Sequence, residues 1–452
     1  MKKMKKVLFL ASAILLIAAA TAAAADLYVS VETGESFRSA DGSKAKPYKD
    51  LQAALDKAAD GDTIHIAKGN YLGTSDRGYI EVLKAVSLKG GYTTDFSKRD
   101  VLANRTTIQP TPASNGTAGA YALLNLGKKG TVNGVKPAGE MIIDGIILDK
   151  GNSLGYHATN GKPAGVATGM LVIPPAKGEN NGTKDVIGTV QPTLWFDVTG
   201  KLTIQNCVFV NGNQYAIMGN ANGATIKIIN NLFINNTYAA VQISSRLATG
   251  NYGNTVDFSY NTVLFNWNRT ADNQDLGLGT GYRFMTGVNT DVHHNIIGLS
   301  HRAGLDRTRT ETPANETKRK TGAEDNYFFL NKMGDIELPG GGMGTRVWAK
   351  NFEEREELYK YDRNEELTTA AAGGFKGKLN APYLEGFLNA TYTETTDYDA
   401  NSSANNFRRA MGLNQSGSMT TKVSMYANRY PLDDALKLFG AVSGKGAQAI
   451  KN

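Results

Sequence analysis

In this 452-residue chain Arg283, His301 and Tyr238 are of types that together could remove a proton beside a carboxylate. Arg283 can neutralise the charge that builds on the acid, and His301 or Tyr238 can take the proton. Asn213, Gln214, Gln242, Arg246, Tyr282, Arg302 and Asp306 add donors and acceptors suited to holding an anionic chain, and Arg307 and Arg309 extend a short basic run. A mechanism with two carboxylates finds no such support. The stretch Asn211-Gly212-Asn213-Gln214-Tyr215-Ala216-Ile217-Met218 carries amides, which exchange no proton at useful pH. The one adjacent aspartate pair, Asp433-Asp434, falls in a predicted C-terminal helix. A bland reading of the same residues is that they are solvated exteriors of repeated strands.

His293, His294 and His301 do not make a metal set on this reading, because neighbouring strand residues point to opposite faces and no Cys or carboxylate completes the group. The expectation is no histidine metal site. Calcium held by backbone and Asp oxygens in loops is a cofactor left open, with no motif to sign it. Tyr156-His157 is an alternative base pair of residue types. Trp195, Tyr215, Tyr238, Trp267 and Tyr282 would stack on sugar rings where exposed, although burial is the commoner fate of an aromatic.

What must position these residues is a repeat. Ile204-Gln205-Asn206-Cys207-Val208-Phe209-Val210-Asn211 matches Ile228-Ile229-Asn230-Asn231-Leu232-Phe233-Ile234-Asn235, and the pattern returns at Phe258 to Leu264 and at Val292 to Ile297. An upstream copy runs from Ile142 to Asp149. Short β segments with Asn at the corners, repeating every few tens of residues, predict a solenoid of stacked parallel strands rather than a β-sandwich. Asn tolerates the left-handed dihedrals that a corner demands, and stacked Asn side chains can bond from coil to coil. Leu202, Ile226, Val256, Ile204, Ile228, Phe258 and Val292 should point inward, with Thr203, Lys227, Asp257 and Asp291 outward. Leu51, Ala54, Leu55 and Ala58 form one stripe on a predicted helix from Pro47 to Ala59, which would cap the first coil.

These features resemble the right-handed parallel β-helix proteins of the pectin-lyase-like superfamily. The resemblance rests on Gly42-Ser43, Pro47-Tyr48-Lys49-Asp50-Leu51-Gln52-Ala53-Ala54-Leu55, Gly61-Asp62-Thr63-Ile64 and Gly69-Asn70-Tyr71, and on the Asn-cornered coils to about residue 305. It implies an all-β solenoid and a groove along the strand after each Asn corner, where Tyr238, Gln242, Arg246, Tyr282, Arg283, His301 and Arg302 would form a trough. The superfamily includes lyases, hydrolases, epimerases and non-catalytic surface proteins. Where its polygalacturonase-like hydrolases read Asn-Gly-Asp-Asp, this chain reads Asn211-Gly212-Asn213-Gln214. The calcium-binding aspartates of pectate lyases have no counterpart here.

Composition agrees with a large folded chain. One Cys excludes a disulfide scaffold, leaving Cys207 as a buried filler, and 50 Gly against 12 Pro excludes collagen. Lys2-Lys3-Met4-Lys5-Lys6, the apolar run from Val7 to Ala20 and Ala23-Ala24-Ala25 have the layout of a secretory leader, too short to span a bilayer. Cleavage is expected after Ala25. Without its four lysines the net charge falls from +7 to +3, which does not argue for nucleic acid. The expected organisation is a leader at 1–25, a parallel β-helix at 26–306 and C-terminal coils with a mixed cap at 307–452. Loop excursions are expected near 150–200 and 267–287, a charged amphipathic segment from Phe352 to Leu367 and a late helix near Leu432 to Leu438. The functional expectation is a secreted or periplasmic monomer that engages an acidic polysaccharide, with β-elimination as its chemistry if it is an enzyme. The alternative is a structural, adhesive or carbohydrate-binding surface protein.

Overall fold

The computed structural model describes residues 24–72, 79–110, 122–128, 134–151, 192–212, 214–245, 252–267, 278–339, 345–349, 361–367, 373–391, 399–415 and 429–451. The expected leader lies almost wholly outside them. The described strands build a right-handed parallel β-helix. Each coil between Thr63 and Leu338 gives one strand to each of three sheets, and these strands pair in parallel from coil to coil, with the antiparallel strand Thr345–Val347 closing the third sheet. In one coil, Thr225–Ile229 lies in the first sheet, and Leu232–Ser245 serves the second and then the third. Thr255–Ser259 then returns the chain to the first sheet, one coil on.

Apolar columns explain why the coils stack in register. In the first sheet Ile64, Leu88, Ile143, Ile204, Ile228, Phe258, Val292 and Ala323 stand opposite one another on successive coils, all buried. The second sheet contributes Tyr71, Ile108, Leu148, Phe209, Phe233, Val263, Ile297 and Phe328. Phe209 and Phe233 stack with centroids 4.9 Å apart. The third adds Leu124, Leu194, Ile217, Val241, Tyr282, Leu305 and Ile336. A slip of one residue would turn each column to the outside, so the columns fix the register. The columns predicted from sequence take their expected sides. The upstream copy enters one residue later than its apparent start, with Ile143 opposite Ile204.

From Asp144 onward the chain turns between the first and second sheets in two residues. The first adopts left-handed dihedrals, at Gly145, Asn206, Asn230, Tyr260, His294 and Asp325. The second, from Asn231 on, is an asparagine whose side chain runs the stack. Asn231 Nδ2 donates to Asn261 Oδ1 at 3.0 Å, Asn261 to Asn295 at 3.1 Å, Asn295 to Asn326 at 2.9 Å, and Asn326 to Asn364 at 2.9 Å. Each Oδ1 also accepts a backbone N–H from the coil before, and each Nδ2 also donates to a carbonyl there. The ladder thus satisfies buried backbone groups that the turn would strand. Cys207 occupies the ladder position one coil earlier, and its backbone N–H donates to Asn231 Oδ1.

The helix Leu51–Lys57 is shorter than its predicted span, and Asp50 caps it through Ala53 N–H at 2.8 Å. Its stripe of Leu51, Ala54, Leu55 and Ala58 joins Val29, Ile64, Ile80 and Val82 in the core. The coils continue past Arg307 through Thr321–Glu324, Tyr327–Phe329 and Ile336–Leu338. Helices Ala381–Thr391, Ser403–Met411 and Leu432–Leu436 follow. This C-terminal part covers the outer face of the second sheet, where Phe375, Leu384, Phe387, Tyr430 and Leu438 pack with Val208, Ile234, Leu264 and Phe265. Trp267 Nε1 donates to Tyr383 Oη at 2.8 Å, and Tyr383 Oη donates to Asn235. Much of Phe352 to Leu367 lies outside the described residues, and Glu365–Glu366 within it is a strand beside Tyr327–Phe329.

Candidate functional site

The outer face of the third sheet carries the candidate site. One residue along from each inward position stand Trp195, Met218, Gln242, Arg283, Asp306 and Glu337, opposite one another on successive parallel strands. At roughly 4.8 Å between strands, long polar side chains in such a column touch. Gln242 Oε1 accepts from Tyr215 Oη at 2.9 Å and from Arg283 Nη1 at 3.2 Å. Arg283 Nε lies 2.9 Å from Asp306 Oδ2. All four residues are buried.

Two phenols complete the cluster. Tyr215 and Tyr238 pack edge to face with centroids 4.9 Å apart. Tyr238 is half-buried, sits at φ 76° and follows the corner where the sheet register shifts. That conformation is strained for a residue other than glycine and turns the ring toward Tyr215. Burial pushes the Tyr215 hydroxyl well above its ordinary range, so it stays a neutral donor.

The predicted trough is reorganised by strand alternation. Tyr282 points inward, packing on Phe258 and Phe284, because its neighbour Arg283 points out. Trp195 and Phe196, expected in a loop excursion, lie in the strand Leu194–Gln205, and Tyr282 and Arg283 lie in the strand Leu278–Phe284. Arg302 is buried in a two-point ion pair with Glu337, with both contacts at 2.6 Å. Arg307 bonds Glu316 at 2.6 Å. His301 is buried, and desolvation with Lys332 nearby lowers its imidazole to about 4. So low a basicity suits a neutral structural ring better than a catalytic base. Gln214 is half-buried, while Asn213, Arg246, Tyr156 and His157 lie outside the described residues.

The same geometry turns several candidates into structural parts. Asn211 holds Asp149 and the backbone of Tyr430, and Trp267 holds the C-terminal cover. Sequence reading missed Glu337, whose role shows only through its opposition to Asp306 and its pair with Arg302. It also missed Trp348, 39% exposed two residues past Arg346, which stands opposite Glu337. His293 and His294 were expected on opposite faces, yet their Nδ1 atoms lie 3.0 Å apart. His294 is not a strand residue but the left-handed corner, so alternation does not apply there. Among the described residues no three His, Cys, Asp or Glu side chains converge as a metal set.

No protein-family model matches the chain, and no curated protein does. Solved structures with some likeness include a lacto-N-biosidase from Eubacterium ramulus, at 11% identity and TM-score 0.32, covering 69% of this chain and 57% of that one. A pectin methylesterase from Erwinia chrysanthemi shows 9% identity and TM-score 0.31, covering 77% of this chain and 94% of its own. A pectin methylesterase variant in complex with a hexasaccharide shows 11% identity and TM-score 0.31, covering 69% and 80%. The chain thus spans little more than half the length of the lacto-N-biosidase. Likeness at this level assigns no activity here.

Proposed function

We propose that this is a secreted or periplasmic β-helix protein that engages an acidic polysaccharide on the outer face of its third sheet and cleaves it by β-elimination. The observation that carries the reading is Arg283, set between Gln242 and Asp306, with Tyr215 sharing Gln242 and Tyr238 packed on Tyr215. In this scheme Arg283 meets the uronate carboxylate and neutralises the charge that spreads onto it as the neighbouring carbon loses its proton. Tyr238, acting as its phenolate, takes that proton, the neutral Tyr215 hydroxyl donates one to the departing glycosidic oxygen, and a proton passing from Tyr238 back to Tyr215 resets the pair. Export is supported by the leader-like N-terminus, and no helix among the described residues is long and apolar enough to cross a membrane.

The second reading, a non-catalytic carbohydrate-binding or structural protein, is favoured by one observation. Arg283 and Arg302 each already face a buried carboxylate, which leaves less positive charge for a ligand. Ultraviolet detection of unsaturated uronates separates the two, using pectate, alginate and glycosaminoglycans with and without calcium. New absorbance that disappears in Tyr238→Phe and Arg283→Lys supports the lyase. Silence on every polymer from folded protein removes it, and affinity electrophoresis on the same polymers then tests binding.

A further inference from the structure

We propose that His293 and His294 form a two-imidazole site for a divalent transition-metal ion, at the corner between the first and second sheets. His293 ends the strand Asn289–His293, and His294 turns the chain at φ 57°, which brings consecutive rings to one side. Their Nδ1 atoms are 3.0 Å apart and the ring planes cross at 86°. With metal–nitrogen bonds of about 2.05 Å, that separation gives an N–metal–N angle of about 94°. Such an angle fits the cis positions of octahedral or tetragonal ions, Ni2+ and Cu2+, better than tetrahedral Zn2+.

The surroundings prepare the nitrogens. Asp257 Oδ1 lies 3.2 Å from His293 Nε2, and a carboxylate at that distance favours the proton on Nε2, leaving Nδ1 with a bare lone pair. Tyr260 stacks on His294 with centroids 4.9 Å apart and planes at 26°, which holds that ring. Without metal, His294 Nδ1–H donates to His293 Nδ1. On loading, the His294 proton moves to its Nε2 through solvent, both Nδ1 lone pairs go to the ion, and water completes the coordination. Both rings are half-buried, which leaves a route for the ion and its waters. The fold itself does not demand the pair, since the same two positions hold Gln205-Asn206 and Ile229-Asn230 on earlier coils.

The test uses full-length, tag-free protein stripped with chelator and titrated calorimetrically with Ni2+ alone and Cu2+ alone. One ion per chain is expected. His293→Gln and His294→Asn should each weaken it at least tenfold, and both install residues that this corner already carries elsewhere, so folding is retained. Asp257→Asn should weaken binding less, while His65→Gln should leave it unchanged. No binding, or binding unaltered in both histidine variants, overturns the site and leaves the pair as a hydrogen bond.

Discussion

Arg283 and Asp306 face each other across adjacent coils of the third sheet, with Nε 2.9 Å from Oδ2 and the carboxylate almost wholly shut off from water. The carboxylate has no solvent to fall back on if the arginine is removed, and Arg283 keeps only a narrow exposed edge, the one a ligand would meet. Asp306→Asn should therefore destabilise the fold by about 3–5 kcal/mol, read from urea unfolding. Adding Arg283→Met to it should restore much of that loss, because the stranded charge is then gone. A single variant as stable as the parent would show that water screens the pair.

The asparagine ladder should be most sensitive in its middle. Asn261→Ala strands the Asn231 N–H and the Ile228 carbonyl together, at about 1–3 kcal/mol for each unsatisfied group. Asn364→Ala, at the half-buried end of the ladder, should cost less. Chemical denaturation of the two variants measures the difference, and equal losses would count against a cooperative ladder.

Cys207 is fully buried, and desolvation pushes its thiol up to about 12. Aromatic disulfide reagents should therefore leave the native protein unlabelled and react once per chain on unfolding. Rapid labelling under native conditions would contradict this burial.

His301 should make stability depend on pH. Its folded pKa, about 4, lies below the ordinary value of 6.5, so only the unfolded chain takes up the proton as pH falls between them. The contribution is full above about pH 6.5, falls away toward pH 4 and levels off below, on the order of 3 kcal/mol in all. His301→Gln should flatten that part of the stability profile measured by denaturant titration.

A chain ended at Leu367 lacks the C-terminal cover and would bare Val208, Ile234, Leu264 and Phe265 together. Dye binding to exposed apolar surface and self-association in size-exclusion chromatography are the expected results. A soluble, monomeric truncation would show that the second sheet tolerates water.

Much of the architecture is legible in the sequence because its signals are local. Ile204, Ile228, Phe258 and Val292 repeat with their Asn corners, and the stripe on the first helix needs only spacing. The site is less legible because it depends on which residues oppose one another. Tyr282 and Arg283 are neighbours in sequence and opposites in space, and Glu337 matters only through Arg302 and Asp306, which no local pattern reveals. His293 and His294 fail the alternation rule because one is a strand end and the other a turn.

The two-residue corner has a practical consequence. One extra residue there would throw every later asparagine off its partner, whereas the other two corners already differ in length from coil to coil. The chain takes four residues to go from Gly212 to Ile217, yet a longer stretch separates Trp267 from Leu278, and another separates Asp306 from Thr321. Those permissive corners border the third sheet. Segments could accordingly be lengthened, exchanged or grafted around the Arg283 cluster while a single fixed edge keeps count for the coils from Asp144 onward.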